Sequence, residues 1–324
     1  MKICIFGAGA IGAYLGAELA QVGVDVSLVA RGPHLEAMRR NGVRVLKGDQ
    51  ETVTRVTCTN DPNELGKQDY VIVGLKSHQM SAAAEQMLPL LRDDTGVVTA
   101  VNGIPYWYFY KHGGELEGRT IETVDPGGVQ WKLLRPERAI GCVVYPATEV
   151  IEPGVIQHIY GDNFPIGEAS GERTDRVEKL SEAFTAAGLK APIQDDIRDE
   201  LWLKLWGNLS FNPISALTHA TLYDICADAG TRAVARAMMV EAQDIATRLG
   251  VSFRVDVDRR INGAQRVGAH KTSMLQDLER GRKMEIAPLV TVVQELGRML
   301  NLPTPTIDVV HSLVALRAQV AEAT

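Results

Sequence analysis

An α/β domain built on a parallel sheet, followed by an all-α domain, is the architecture that three features of this 324-residue sequence predict. Short apolar runs alternate with helical patterns through the first half, as in a parallel sheet covered on both faces. A glycine-rich turn, GAGAIG, separates the first apolar run from the first helical pattern. From about Asp195 onward the β signal disappears and only helical spacing remains.

Taken in order, Lys2–Phe6 reads as a strand and Ala10–Val22 as a helix. Val24–Val29 reads as a second strand and Pro33–Arg40 as a second helix. Tyr70–Gly74 and Gly96–Ala100 are continuous apolar runs suited to buried strands, with helical spacing over Gln79–Leu91 between them. Val43–Leu46 and Thr52–Thr57 read as an antiparallel excursion. Between about Gly118 and Gly167 the texture changes to short β-rich pieces broken by Gly and Pro (VDPGGVQW, GCVVYPATEV, EPGVIQHIYGD). These are expected to extend the sheet and end the first domain. Helical spacing then covers Leu201–Phe211, Arg232–Leu249, Ile286–Leu300 and Asp308–Val320, with enough apolar positions for a bundle. The junction KAPIQDD divides the chain into domains 1–194 and 195–324.

Composition narrows the function classes. Hydrophobic residues at 45% and charged residues at 23% suit a globular chain that buries its core without staples. A formal net charge of −6 leaves no footprint for nucleic acid or an acidic membrane surface. The basic run Arg280–Lys283 reads as solvated surface. Cys4, Cys58, Cys142 and Cys226 are far apart and form no metal-ligand or disulfide pattern, so no metal is expected. No span has the length of a membrane helix. The first twenty residues resemble a signal peptide only superficially, because spaced glycines interrupt them and no cleavage site follows. A cytoplasmic location is expected.

The turn Gly7-Ala8-Gly9-Ala10-Ile11-Gly12 fits GxGxxG, and its strand-turn-helix context makes it a Rossmann-type dinucleotide-binding site. Gly7 can make the tight turn, Gly9 admits the pyrophosphate, and Gly12 permits close helix-strand packing, with the helix N-terminus facing the anion. After the second strand, where an NAD-binding domain usually places Asp or Glu, this chain has Arg31. Asp25 and Glu36 lie before and after that point. A guanidinium there can pair with a 2′-phosphate, which favours NADPH/NADP+ over NADH. Lys76 and Asn102 follow the strand ends YVIVG and GVVTA, where ligands of such sheets lie, and each can equally be a capping or turn residue.

In the second half, Leu201, Trp202, Leu203, Leu205, Trp206, Leu209 and Phe211 surround the stretch from Glu200 to Pro213 with apolar groups, while Glu200, Lys204 and Asn208 recur every four residues as a narrow polar stripe. Asn212 continues that stripe to Pro213, where the helix is expected to end or break. A stripe on a buried helix faces something polar. It is either a cleft, in which a desolvated Lys204 is a general acid for carbonyl reduction, or a Lys–Glu pair bracing two domains. The segment from Ala269 to Ile286 reads as a surface helix, a turn at Gly281 and a new helix. Ser273 suits a cap there, and Glu285 suits a first turn.

Together KICIFGAGAIG, the arginine after the second strand, GLKSHQ, VNG, KLWGNLSFNPISAL and SMLQDLERGRKMEI resemble the ketopantoate reductase (2-dehydropantoate 2-reductase) family over nearly the whole chain. The resemblance implies NADPH-dependent reduction of ketopantoate to (R)-pantoate in pantothenate biosynthesis, with substrate between a nucleotide-binding and a helical domain. It implies that Lys204 hydrogen-bonds the 2-oxo group and protonates the alkoxide, and that Glu285 holds substrate and lysine in place. Asn208 and Asn212 then orient substrate, Ser273 lies near its carboxylate, and Lys76 and Asn102 line the cofactor–substrate junction. PISALTHATLYDI after Asn212, His270 in place of an asparagine, and Ala287 in place of an aspartate depart from the family pattern. These departures border the substrate, so another small 2-oxo acid is the first alternative; a non-catalytic NADPH-binding sensor is the second. The apolar C-terminal helices can bury against the first domain or across a homodimer.

Overall fold

The computed structural model describes residues 1–323. The chain divides into two compact units, the first running from Met1 to Ile197 and the second starting at Arg198.

The first unit begins with β1 (Lys2–Phe6), α1 (Ala10–Gln21), β2 (Asp25–Val29), α2 (Gly32–Asn41), β3 (Val43–Lys47), β4 (Gln50–Thr54) and β5 (Thr57–Thr59). It continues with β6 (Tyr70–Val73), α3 (Met80–Met87), β7 (Gly96–Thr99), α4 (Val129–Leu134) and β8 (Ala139–Cys142). It closes with β9 (Ala147–Glu152), β10 (Val155–Tyr160), β11 (Ile166–Glu168) and α5 (Asp175–Ala186). Seven strands form one sheet in the order β11-β8-β7-β6-β1-β2-β5, parallel except where β11 runs antiparallel to β8. The central strands carry apolar residues on both faces because helices cover both, as the continuous runs of the sequence require. Ile3, Ile5, Leu15, Leu28, Ile72, Val98 and Phe184 are buried together in this core.

Three expectations are corrected here. The segment VDPGGVQW is not a β piece: it forms a tight turn leading into α4. The reason is Asp125, fully buried, whose carboxylate accepts from Gln130 N at 2.7 Å and Trp131 N at 2.9 Å and so caps a helix start. The pieces around residues 147–160 do not extend the main sheet. They form β9 and β10, which join β3 and β4 in a separate sheet of order β4-β3-β10-β9. The run Thr52–Thr57 is split: β4 pairs antiparallel with β3, and β5 pairs parallel with β2 at the edge of the main sheet.

The second unit is helical throughout: α6 (Ile197–Thr218, its first residue shared with the first unit), α7 (Leu222–Ala227), α8 (Ala229–Arg248), α9 (Val257–Arg266), α10 (Ser273–Glu279), α11 (Val292–Leu300) and α12 (Pro305–Ala323). Pro213 does not end the helix, since α6 continues to Thr218. Proline there removes one backbone donor and costs about 3 kcal/mol. Phe211, Ile214 and Ala216 are all buried around it, and burying a large apolar side chain contributes roughly 1.5–3 kcal/mol, so packing carries the helix through. A π-helical turn over Ala287–Thr291 precedes α11 in place of a uniform helix from Ile286. On α12, Ile307, Val310 and Val314 are buried, whereas Val309, Leu313, Leu316 and Val320 are 61%, 52%, 58% and 49% exposed. Among the described residues, no helix is long and apolar enough to cross a membrane.

Candidate active site

In the first unit the end of β1 turns sharply at Gly7, whose φ of +97° suits only glycine at little cost. The amides of Gly7 and Ala8 both donate to the Val29 carbonyl, at 3.1 and 2.9 Å, tying the turn to the end of β2. A Cβ on Gly12 would meet the Gly7 carbonyl oxygen at 2.5 Å, so α1 packs this close to β1 only with glycine at that place. At Gly9 the same construction meets nothing within 4 Å, so the outer side of the turn is open. Helix α1 starts there with no side-chain cap and no acidic residue in its first turn. Its N-terminal amides and dipole favour an anion.

That turn forms one wall of a cleft of about 580 Å³ that also contains Arg31 and Lys76. Arg31 is exposed at the N-cap of α2, in extended backbone. Lys76 is half-buried and opens a tight turn in which its amide donates to Gln79 Oε1 at 3.3 Å. The structure therefore brings Gly7, Ala8, Gly9, Arg31 and Lys76 together. Ala10, Ile11 and Gly12 lie behind the turn in α1, and Asn102, half-buried after β7, is not part of the cleft wall. A dinucleotide phosphate fits this wall on three counts: open space at Gly9, uncapped amides and two cationic side chains.

His34, Asn60, His78, Gln79 and Gln86 also line the cleft and were missed by the sequence reading. The motifs GLKSHQ and ARGPH already contain three of them, but only the fold shows which way they point. His34 Nδ1 accepts from Gly154 N at 2.9 Å, which places the proton of the neutral ring on Nε2. Burial pushes this imidazole below its ordinary value, against the opposing pull of the Ala8 backbone. The neutral form is therefore favoured in the fold. Its stabilisation is complete above the unfolded value of about 6.5 and is lost as pH falls from there toward the lower folded value. Thermal melts are expected to show a larger fall in Tm between neutral and mildly acidic pH for the native chain than for His34→Gln. Equal falls would remove His34 from the account.

In the second unit α6 buries Leu201, Trp202, Leu205, Trp206, Leu209 and Phe211. Trp206 is fixed by its indole N–H, which donates to the Met239 carbonyl at 2.6 Å. The stripe of the sequence reading lies along this helix. Glu200 is buried and faces Arg254 at 3.7 Å, and Lys204 and Asn208 are half-buried. Asn212 is only 4% exposed, and its Nδ2 has no hydrogen-bond partner. A buried amide donor left unpaired costs about 1–3 kcal/mol, which a polar ligand at this helix would remove. Ser273 is the exposed first residue of α10, whose cap is Thr272, the acceptor for Leu275 N at 3.3 Å. Glu285 is half-buried just before the π-helical turn, and Ala287 opens that turn. His270 is half-buried, its carbonyl accepts from Leu222 N, and burial lowers its pKa.

Comparison with known proteins sets these features in a family. Residues 3–171 match the family model described as ketopantoate reductase PanE/ApbA, and residues 196–318 match that of the ketopantoate reductase PanE/ApbA C terminal. The chain is 59% identical over 97% of both chains to a 2-dehydropantoate 2-reductase of Mesorhizobium japonicum. A solved structure from Ralstonia solanacearum MolK2, designated a ketopantoate reductase, is 37% identical with a TM-score of 0.94 over 98% of each chain. The PanE/ApbA family ketopantoate reductase of Ralstonia eutropha JMP134 is 30% identical with a TM-score of 0.85, over 99% of this chain and 100% of that one.

Proposed function

We propose that this chain, which belongs to the ketopantoate reductase family, reduces 2-dehydropantoate (ketopantoate) to (R)-pantoate with NADPH, a step in pantothenate biosynthesis. The observation that carries the reading is the α6 stripe, in which Lys204 lies two turns from the unpaired buried amide of Asn212. In this reading residues 1–194 bind the cofactor and residues 195–324 hold the substrate and catalytic groups. Gly7, Ala8 and Gly9 with the first turn of α1 (Ala10, Ile11, Gly12) hold the pyrophosphate, and Arg31 holds the 2′-phosphate. Lys76 and Asn102 line the junction with the substrate. NADPH, when bound, supplies the hydride. Asn208, Asn212 and Ser273 orient the 2-oxo acid, and Glu285 holds substrate and Lys204 in register. The Lys204 ammonium donates its proton to the C2 oxygen as C2 accepts hydride, so the ketone becomes an alcohol and the lysine is left neutral. Solvent then returns the proton.

Steady-state rates with a panel of 2-oxo acids test the substrate. Ketopantoate is expected to have the highest kcat/KM. His270 and Ala287, which depart from the family pattern, favour a second reading in which another small 2-oxo acid is preferred. A higher kcat/KM for such an acid would establish that reading instead.

The same reading places the enzyme in the cytoplasm, where its buried thiols, such as Cys4, Cys58 and Cys226, stay reduced, and assembles it as a homodimer. The exposed residues Val309, Leu313, Leu316 and Val320 support the dimer. Their spacing reads the same in both directions, so two antiparallel copies of α12 oppose Val309 to Val320 and Leu313 to Leu316, as a two-fold interface requires. Light scattering is expected to give a dimer for the native chain and a monomer for Leu313→Glu. A native monomer would sink this assembly.

A further inference from the structure

We infer that Arg260 binds the carboxylate of the 2-oxo acid, a role that rests on the reductase reading above. The starting point is a glycine that helix propensity does not explain. Gly207 lies in the interior of α6, where glycine costs about 1 kcal/mol relative to alanine. A Cβ built on it would lie 2.3 Å from Arg260 Nη2 and 3.1 Å from Arg260 Cζ. The guanidinium of α9 thus rests directly on bare α6 backbone, and any larger residue at 207 would displace it.

The direction of that contact matters. A helical Cβ points outward and toward the helix N-terminus, so a group seated there overlies the preceding turn. That turn carries Lys204, three residues before Gly207, and residues at this separation are neighbours on a helix surface. The same stripe ends at Asn212, whose buried Nδ2 has no partner, independent evidence that a polar ligand meets this helix.

The chemistry of the substrate matches the spacing. In a 2-oxo acid the carboxylate is bonded to the carbon that bears the keto oxygen. If Lys204 engages that oxygen, the carboxylate lies within about one helical turn of it. A guanidinium there offers two parallel N–H donors to the two carboxylate oxygens. With five N–H donors, Arg260 can take a carboxylate in addition to its contacts within the protein. Arg254, another cation near the start of α6, faces Glu200 at 3.7 Å. The Gly207–Arg260 contact then serves recognition: the glycine exists so that the arginine can sit beside the lysine.

The test is a KM-against-kcat comparison of the native chain, Arg260→Gln, Arg260→Lys and Gly207→Ala at saturating NADPH. Melting temperature, KM for NADPH and quenching of tryptophan fluorescence by ketopantoate are read on the same samples. Arg260→Gln is expected to raise KM for the 2-oxo acid about 10- to 100-fold, the value of a charge-assisted pair, with KM for NADPH unmoved. Arg260→Lys is expected to recover part of the loss, because it keeps the charge but not the fork. Gly207→Ala is expected to raise the same KM although Arg260 is intact. A fall in melting temperature with an unchanged 2-oxo acid KM would show a brace between helices and overturn the inference. If the native chain reduces no 2-oxo acid, the reductase reading fails. Ketopantoate quenching that is present in the native chain and absent in Arg260→Gln would still establish the carboxylate site, and quenching equal in both would overturn it.

Discussion

Replacing Lys204 with alanine is expected to lower kcat for ketopantoate reduction by roughly 10²- to 10⁴-fold, the range for removing a positioned general acid. Lys204 is the only cationic residue of the stripe, on a helix held by buried Trp202, Leu205, Trp206 and Leu209. Removing it deletes the proton donor and the charge that stabilises the developing alkoxide, while α6 keeps its packing. Lys204→Arg is expected not to restore the rate, because a guanidinium keeps its proton at all working pH. NADPH binding, followed by fluorescence, separates a lost acid from a lost cofactor. A kcat within a few-fold of native, with NADPH still bound, would remove Lys204 from the chemistry and revive the reading of a non-catalytic nucleotide sensor.

Arg31→Gln is expected to raise KM for NADPH about 10- to 100-fold and to leave KM for NADH nearly unchanged. The residue stands at the cleft edge just after β2, where a carboxylate would select NADH by binding its ribose hydroxyls. Among the described residues that line the cleft, no carboxylate takes that role. Asp25 is at the far end of β2, and Glu36 lies within α2, 3.4 Å from Arg39. Losing the guanidinium therefore removes the partner of the 2′-phosphate without creating one for the ribose. KM values for both cofactors, measured with one 2-oxo acid, decide the point. A parallel rise for NADH would assign Arg31 to general electrostatics.

The glycine turn and the α6 stripe were legible because both are local. One depends on six consecutive residues between a strand and a helix, the other on a four-residue period within one helix. The passage of α6 through Pro213 was not legible, because it depends on the burial of Phe211, Ile214 and Ala216, which the local sequence does not reveal. The second sheet was hidden for a similar reason. Strand β10 pairs in parallel with β3, joining Arg44–Lys47 to Val155–His158 across most of the first unit. The helix after Asp125 was concealed by its Pro-Gly-Gly composition, which reads as a turn between strands until the buried carboxylate is seen capping it. His34 entered the cleft unannounced because its position depends on Gly154, in the hairpin between β9 and β10. Arg260 was equally silent, since its half-burial and its contact across Gly207, which set it apart from exposed Arg259 and Arg266, emerge only in the fold.

The most direct measurement of the central claim is isotope transfer. The protein is incubated with ketopantoate and NADPH carrying deuterium at the transferable C4 position of the nicotinamide, and the product is analysed by mass spectrometry and chiral chromatography. The predicted result is (R)-pantoate that carries the deuterium at C2, formed at a rate that collapses in Lys204→Ala. Recovery of unchanged ketopantoate, or of pantoate without the label, would contradict it.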